Sequence, residues 1–212
     1  MKKAVIFDLD GTLTNTLADI ANAMNGALSE FGLPGWAEDD YRYLVGNGAK
    51  VLAQRAVRDR HELEEAVLRS YQARYEVHCM DLTRPYDGIP ELLGTLNERG
   101  VRVCVFSNKP DADSKHVVMH YFPDVRFDAI RGQIEGIPVK PDPTGALLIA
   151  SELGLEPGDF LYLGDTAVDM TCACRAGMHP IGARWGFRDE KELREAGAEK
   201  LISEPLALLD LL

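Results

Sequence analysis

The sequence lacks the cysteine spacing of a disulfide framework or of a zinc site. Its four cysteines, Cys79, Cys104, Cys172 and Cys174, form no pattern of one close pair followed by another. Cys104 lies in an apolar run, as a packed thiol does. We therefore expect a reduced, intracellular protein that folds without covalent cross-links.

Long apolar runs and clusters of basic residues are also missing. The opening MKKAVIFDLDG is interrupted by Asp8 too early for a signal peptide, and no later stretch is long enough to span a bilayer. The formal net charge of −11 argues against a nucleic-acid surface, because phosphate backbones are bound chiefly by Lys and Arg clusters. We expect a cytoplasmic protein with neither a membrane nor a nucleic-acid partner.

Short apolar segments rich in β-branched residues recur along the 212 residues and predict buried strands at 3–9, 101–107, 128–132, 159–165 and 180–184. Helical patterns lie between the later ones, at 89–100, 111–122, 143–154 and 166–177. This alternation predicts an α/β fold with a Rossmann-like parallel sheet covered by helices on both faces. Ligands of such sheets bind beyond the carboxyl ends of the strands, where Asp8, Ser107 and Asp165 fall.

Residues 15–82 interrupt the alternation with helical patterns and predict an inserted helical domain. One apolar stripe runs from Leu17 to Phe31 at helical spacing, and Thr16 with Asp19 resembles an N-terminal capping box. A further helix is expected after VGNG at 45–48. The predicted domains are therefore a core of residues 1–14 and 83–212 and an insertion of residues 15–82.

Several acids fall at predicted strand ends, and they need a shared explanation because a buried carboxylate is costly unless it is paired or metal-bound. Asp8 ends the first strand, Asp165 ends another, and Asp169 follows one helical turn later. One divalent cation would account for all three. Oxygen ligands of this kind favour Mg²⁺ over zinc.

Four motifs occur in order along the chain, namely DLDGT at 8–12, FSNK at 106–109, VKPDP at 139–143 and GDTAVD at 164–169. They resemble the four motifs of the haloacid dehalogenase superfamily of phosphatases. The resemblance covers nearly the whole chain. It implies a haloacid dehalogenase-like core and, for residues 15–82, a small helical cap domain that closes over a small phosphorylated metabolite.

The resemblance also implies roles for the matching residues. Asp8 would be the nucleophile that forms an aspartyl-phosphate, and Asp10 would act as general acid and base. Mg²⁺ would be held by the Asp8 carboxylate, the Asp10 backbone carbonyl and Asp165, with support from Asp169. The phosphate-binding set would contain Thr12, which would also orient the acids, together with Ser107, Asn108 and Lys140, which would hold the phosphoryl oxygens.

The acid at position 10 favours ester hydrolysis or phosphoryl transfer, because dehalogenases and phosphonatases of the superfamily lack it. The remaining segments look most like the phosphoglycolate phosphatase group. In particular, LVGNGAKVL resembles that group's cap loop, in which backbone N–H groups near Gly46 and Gly48 could hold a substrate carboxylate. The alternative for this loop is a helix-entry turn without a ligand.

Phosphoglycolate is the leading expected substrate of a monomer or homodimer. Pyrophosphate, a sugar phosphate and a nucleoside monophosphate stay open as alternatives. So does a phosphoglucomutase-like phosphotransferase, which would use the same aspartyl-phosphate. A catalytically inactive binding protein on the same fold is a hypothesis of another class.

Overall fold

Six parallel strands form the main sheet of the computed structural model, which describes residues 2–212. In chain order, the strands are β1 (Ala4–Phe7), β2 (Thr14–Asn15), β3 (Arg84–Pro85), β4 (Arg102–Pro110), β5 (Ala129–Gln133), β6 (Phe160–Gly164), β7 (His179–Ala183) and β8 (Lys200–Ile202). The main sheet has the order β5-β4-β1-β6-β7-β8, and β2 pairs with β3 alone. The predicted α/β fold is confirmed.

The first strand is central because its sequence suits burial on both sides. All four residues of β1, AVIF, are buried, as expected for a strand covered on both faces. Phe7 pairs with Val105 of β4 on one side and with Leu163 of β6 on the other. The predicted strand over 3–9 is two residues too long at its end, so Asp8 and Asp10 lie beyond the regular strand.

Nine α-helices accompany the strands in the described part of the chain. They are α1 (Leu17–Glu30), α2 (Tyr41–Leu44), α3 (Ala49–Ala56), α4 (Glu64–His78), α5 (Ile89–Glu98), α6 (Asp111–Tyr121), α7 (Thr144–Leu153), α8 (Ala167–Ala176) and α9 (Glu190–Glu195). Short 3₁₀ helices occupy Glu38–Asp40, His61–Leu63, Pro157–Asp159 and Pro205–Leu211. None of the helices in residues 2–212 combines the length and the apolar character that crossing a bilayer requires.

A buried cluster joins the sheet to α7 and α8. Ile6, Phe106 and Tyr162 from three neighbouring strands pack there with Ile149 of α7 and Cys172 of α8. Cys172 is a packed thiol, and burial raises its pKa to about 12. Side chains of this size contribute on the order of 1.5–3 kcal/mol each when they are fully buried. The cluster therefore fixes the strands that end in the candidate site residues.

The chain divides into two compact units. The chain up to Thr14 together with Pro85–Leu212 forms the first, called the sheet unit, and Asn15–Arg84 forms the second, called the helical unit. The return boundary lies two residues beyond the predicted one. Leu82 and Thr83 belong to the helical unit because their backbone N–H groups donate to the Asp19 carboxylate of α1, at 2.8–3.1 Å.

The predicted capping box at Thr16 and Asp19 is wrong. The Thr16 side chain makes no cap hydrogen bond, and its hydroxyl is buried without a partner among the described residues. Asp19 accepts instead from Leu82 and from both the backbone and the hydroxyl of Thr83. Sequence spacing could not reveal this, because the partners are more than sixty residues apart. The helix expected after Gly48 is confirmed as α3.

Candidate active site

Three acids come together where adjacent strands of the sheet unit end. Asp8 follows β1 directly, Asp165 follows β6, and Asp169 lies in the first turn of α8. Each offers a carboxylate oxygen, and these oxygens lie within 4.8 Å of one another. Asp165 and Asp169 are fully buried and Asp8 is 7% exposed. The sequence placed two of these acids at strand ends and the third one helical turn later, and the fold gathers them into one cluster.

Lys140 is the cation in direct contact with this cluster. Its Nζ lies 2.8 Å from Asp8 Oδ1 and 2.7 Å from Asp169 Oδ1, and the residue is 1% exposed. Burial alone would lower the pKa of Lys140, but the charges of Asp169 and Asp8 outweigh burial and raise it. Lys140 therefore stays charged and bridges two of the three acids.

The Asp165 carboxylate is held by two donors that come from distant parts of the sequence. Thr12 Oγ1 donates to its Oδ1 at 3.0 Å, and the Phe187 backbone N–H donates to its Oδ2 at 2.8 Å. The Thr12 N–H donates to Leu9 O at 3.3 Å. Because both donors of Thr12 act within the protein, the geometry shows it orienting Asp165, and a direct phosphate contact by Thr12 stays a prediction.

Asp169 is held by the start of its own helix. Its Oδ2 accepts from the Thr166 hydroxyl at 2.6 Å and from the Thr166 backbone N–H at 3.1 Å. The Thr166 side chain in turn caps the N–H of Asp169, which completes a capping box. One oxygen of Asp169 is thus fixed by the helix, while the other faces Lys140.

Glycines allow the backbone to approach these acids closely. Gly11 has φ +88, and a Cβ there would lie 2.3 Å from Asp165 Oδ2. A Cβ at Gly164 would lie 2.3 Å from the Asp169 Cβ, and one at Gly186 would lie 2.2 Å from the Asp165 Cβ. Side chains at these positions would displace the carboxylates. The cluster therefore depends on glycine at three separate segments.

Burial and neighbouring charges raise the pKa of two of the three acids, Asp8 and Asp165. Burial raises the pKa of Asp8 well above its usual range, the Asp169 charge raises it further, and Lys140 offsets part of this. Burial, followed by the charge of Asp169, raises the pKa of Asp165 to about 7. Three carboxylates with one ammonium in contact leave excess negative charge in a buried place. A bound divalent cation would favour the ionised form of every one of them.

The end of β4 supplies three consecutive buried residues, Ser107, Asn108 and Lys109. The β4–β5 register shifts here, because the four steps from Phe106 to Pro110 correspond to two steps on β5. Such an irregularity re-aims side chains at a strand end. The Asn108 amide donates to Lys140 O at 3.1 Å and accepts from Lys140 N at 2.8 Å. Asn108 therefore fixes the segment that carries Lys140.

Asp10 lies apart from the three-acid cluster, and Lys109 is its partner. Lys109 Nζ lies 2.9 and 3.2 Å from the two oxygens of the Asp10 carboxylate. Sequence reasoning included Lys109 in a motif but gave it no role, since nothing in the spacing links positions 10 and 109. The Asp10 backbone carbonyl as a metal ligand, and Ser107 and Asn108 as phosphate contacts, stay predictions.

In the helical unit, Gly46 and Gly48 lie in the loop before α3. Both have positive φ, +107 and +84. Arg55 of α3 holds this loop, because its guanidinium donates to Leu44 O and to the Asn47 side chain, both at 2.9 Å. Sequence reasoning missed Arg55. The role of the two glycines in substrate binding stays a prediction.

Comparison with known proteins gives one family and close relatives. A model of the haloacid dehalogenase-like hydrolases matches residues 5–183. The N-acetylmuramic acid 6-phosphate phosphatase of Pseudomonas aeruginosa is 32% identical, with 99% of this chain and 94% of that protein aligned. The phosphoglycolate phosphatase of Haemophilus influenzae is 30% identical, with 99% and 98% aligned.

The fold is also similar to that of solved structures. A crystal structure of a predicted phosphoglycolate phosphatase from Haemophilus somnus superposes with a TM-score of 0.92 at 27% identity, covering 99% of this chain and 97% of that one. The similarity therefore extends over both units.

Proposed function

The chain belongs to the haloacid dehalogenase-like hydrolases and is a phosphatase like its relatives, and we propose that it hydrolyses phosphomonoesters with Mg²⁺ through an aspartyl-phosphate on Asp8. The observation that carries this proposal is the buried group of Asp8, Asp165 and Asp169 bridged by Lys140. If the group were only a structural ion pair, one carboxylate would be enough to balance the charge of Lys140. Three acids gathered beyond the ends of two strands are better explained by a cation site.

The residues present suit Mg²⁺. All the donors offered are carboxylate oxygens, which hard divalent cations prefer, and no cysteine or histidine joins the group within the described residues. Asp8, Asp165 and Asp169 would hold the ion, with the Asp10 backbone carbonyl as a further ligand. When bound, Mg²⁺ would neutralise charge between the anionic nucleophile and the anionic phosphate.

Asp8 is proposed as the nucleophile. Its carboxylate attacks phosphorus, a P–O bond to Asp8 forms, and the bond to the leaving oxygen breaks. The Asp8 Oδ1 is held by the Leu9 backbone N–H at 2.7 Å and by Lys140 at 2.8 Å. Two contacts fix the carboxylate before substrate arrives, so little orientation is lost on binding.

Asp10 is proposed as the general acid and base. Its proton goes to the leaving oxygen as the P–O bond breaks, and a proton returns to it from the water that hydrolyses the aspartyl-phosphate. Its side chain is 22% exposed, more open than those of the three acids, as contact with substrate requires. Ser107, Asn108 and Lys140 would hold the phosphoryl oxygens, with Lys140 as the charged member.

Phosphoglycolate is the proposed substrate, supported by the curated phosphoglycolate phosphatase that aligns over 98% of its own length. N-acetylmuramic acid 6-phosphate is a second candidate, because a phosphatase named for it is 32% identical to this chain. Both compounds are phosphate esters of a primary alcohol and both carry a carboxylate. A carboxylated phosphomonoester is therefore the substrate class, and the two members differ chiefly in size.

The test is phosphate release by the purified protein with Mg²⁺. The panel contains the two carboxylated esters, pyrophosphate, glucose 6-phosphate and a nucleoside monophosphate. A kcat/KM for one ester about a hundredfold above the others, about 2.7 kcal/mol of discrimination, would assign the substrate. Comparable, weak rates on every compound would contradict the substrate proposal and leave the chemistry in place.

The chemistry has its own test in Asp8→Asn. We expect phosphate release to fall at least about a thousandfold, because removal of a nucleophile disables the whole catalytic group. Asp124→Asn removes the same charge from an exposed position and should retain full activity. Activity that survives Asp8→Asn would exclude the aspartyl-phosphate. Transfer of phosphate to sugar in place of water would instead indicate a phosphotransferase.

A further inference from the structure

The nearest charge to the proposed acid is a lysine that none of the roles above uses. Lys109 Nζ donates to both oxygens of Asp10, and the two side chains are 3% and 22% exposed. Within residues 2–212, both hydrogen bonds to the Asp10 carboxylate come from Lys109. The burial of this ammonium calls for an explanation, because lysine is almost never fully buried unless it is paired.

The local backbone brings Lys109 to this place. It lies in the β4 irregularity, where its N–H donates to Ser107 Oγ at 3.2 Å and its carbonyl accepts from Ser114 Oγ at 3.3 Å. Gly132 of β5 permits the approach, since a Cβ there would lie 2.6 Å from Lys109 O. The Lys109 backbone is thus held on three sides, and its side chain, which is only 3% exposed, has little room to move its ammonium away from Asp10.

Asp10, by contrast, lies in a tight turn after β1. A short carboxylate on such a turn has several rotamers, and only some of them direct an oxygen toward the leaving group. A donor that contacts both oxygens selects one of these rotamers. We propose that Lys109 is a positioning residue, which holds the Asp10 carboxyl in the orientation that transfers its proton to the leaving oxygen.

The inference rests on the proposed function, since it needs Asp10 to be the proton donor. In the reacting form one Asp10 oxygen carries the proton that goes to the leaving oxygen, and the other oxygen accepts from Lys109. Water replaces this proton in the second step, while Lys109 keeps its protons throughout. The effect of Lys109 on the rate of ester cleavage should therefore be larger for esters whose leaving oxygen must be protonated.

The experiment compares an alkyl phosphate with p-nitrophenyl phosphate in Lys109→Met. An alkoxide must be protonated as it leaves, whereas p-nitrophenolate leaves without a proton. We expect kcat/KM to fall about tenfold to a hundredfold for the alkyl ester and less than about threefold for the aryl ester. The value of kcat/KM depends on the steps up to loss of the leaving group. Hydrolysis of the aspartyl-phosphate comes later and does not affect it.

Two further variants separate positioning from other roles. Asp10→Asn should show the same selective loss, and Asp10→Asn/Lys109→Met should be no slower than Asp10→Asn alone, because residues that act as a unit are not additive. Lys115→Met is the control. It removes a nearby lysine whose side chain is more than half exposed, and it should leave kcat/KM unchanged for both esters. If Lys109→Met does not fold, Lys109→Arg, which keeps the charge but moves the donors, should show the same selectivity.

Equal losses on both esters, or losses that add to those of Asp10→Asn, would overturn the proposal and indicate a structural role. A raised KM for both esters would overturn it in favour of direct phosphate binding. Failure of the proposed function has a different signature, namely Asp10→Asn itself showing no preference between the alkyl and aryl esters.

Discussion

Thr12 Oγ1 donates a hydrogen bond to Asp165 Oδ1 at 3.0 Å, which joins two fully buried side chains 153 positions apart. The Phe187 N–H holds the other oxygen. Burial raises the pKa of Asp165, and both donors oppose it because they stabilise the ionised form. A residue of the first motif thus orients an acid of the last one, which is one of the proposed cation ligands.

Replacement of Thr12 by Val removes this donor and keeps the shape of the side chain. The pKa of Asp165 should rise further, so Mg²⁺ must compete with a proton that is held more tightly. We expect the apparent Mg²⁺ affinity to fall about tenfold, since hydrogen bonds to charged groups contribute about 1.5–3 kcal/mol. The loss should be larger at pH 6 than at pH 8. Titration calorimetry measures it.

Thr12→Ser is the matched control, because it keeps the hydroxyl and should bind Mg²⁺ almost as the parent protein does. Equal affinities in Thr12→Val and Thr12→Ser at both pH values would show that the hydrogen bond to Asp165 is unimportant for the cation.

The raised pKa of Asp165 predicts how the metal-free protein responds to pH. The folded protein binds this proton more tightly than the unfolded chain does, because the pKa rises from 3.8 to about 7. The stabilisation that this tighter proton binding gives the folded protein is therefore fully present below about pH 4 and is lost as the pH rises through about 7. In EDTA, the free energy of unfolding should fall over this range.

Asp165→Asn should flatten this dependence. At pH 7.5 in EDTA, we expect the variant to be more stable than the parent by on the order of 2 kcal/mol, within the ceiling of about 4 set by a shift of about three pKa units. Mg²⁺ should stabilise the parent and have little effect on the variant. Urea unfolding with and without Mg²⁺ tests both statements, and the same pH slope in parent and variant would contradict them.

The sheet could be predicted from the sequence because its central strands are continuous apolar runs. The end of the chain could not. Strand β8 has three residues and helix α9 has six, too few for periodicity to register. The strand β8 is recognised only by its pairing with β7, a long-range contact that the sequence does not display.

The acids of the candidate site could also be predicted, because each follows an apolar strand within a recognisable motif. Their partners could not. Lys109 lies 99 positions from Asp10, and Phe187 contributes a backbone N–H, for which no side chain gives a signal. The phosphate role of Asn108 stays a prediction, and the contact of its amide with the Lys140 backbone, 32 positions away, had no signal in the sequence. Position in a motif identifies a residue, and only geometry identifies its contacts.

Asp19 should be essential for the end of the helical unit. It is 2% exposed, and its carboxylate accepts from the N–H groups of Leu82 and Thr83 and from the Thr83 hydroxyl. In Asp19→Asn, the amide oxygen can keep the Thr83 donors, but the NH₂ that replaces Oδ1 would face the Leu82 N–H, and the negative charge that strengthens all these bonds is lost. We expect the free energy of unfolding to fall by about 2 kcal/mol and the amides of Leu82 and Thr83 to exchange hydrogen faster.

Asp39→Asn is the control for this change, since the Asp39 side chain is 91% exposed and makes only a surface ion pair. It should leave stability within about 0.5 kcal/mol. Unaltered exchange at Leu82 and Thr83 in Asp19→Asn would mean that other contacts hold this segment.

Gly48→Ala tests whether the loop before α3 recognises the substrate carboxylate. Gly48 has φ 84 and ψ 166, a conformation that is essentially restricted to glycine. Alanine should shift the loop and its N–H groups. We expect KM for phosphoglycolate to rise about tenfold, equivalent to about 1.4 kcal/mol, while kcat/KM for p-nitrophenyl phosphate, which has no carboxylate, changes less than about twofold.

Gly32→Ala distinguishes this effect from general strain. Gly32 also has positive φ, +67, and lies in the same helical unit, but a Cβ there would have no neighbour within 4 Å. Both variants place a Cβ at a residue with positive φ, and only Gly48→Ala alters the loop held by Arg55. A selective rise in KM in Gly48→Ala alone would therefore assign the carboxylate to this loop. The same rise in Gly32→Ala, or equal losses on both substrates, would leave the loop as a helix-entry turn.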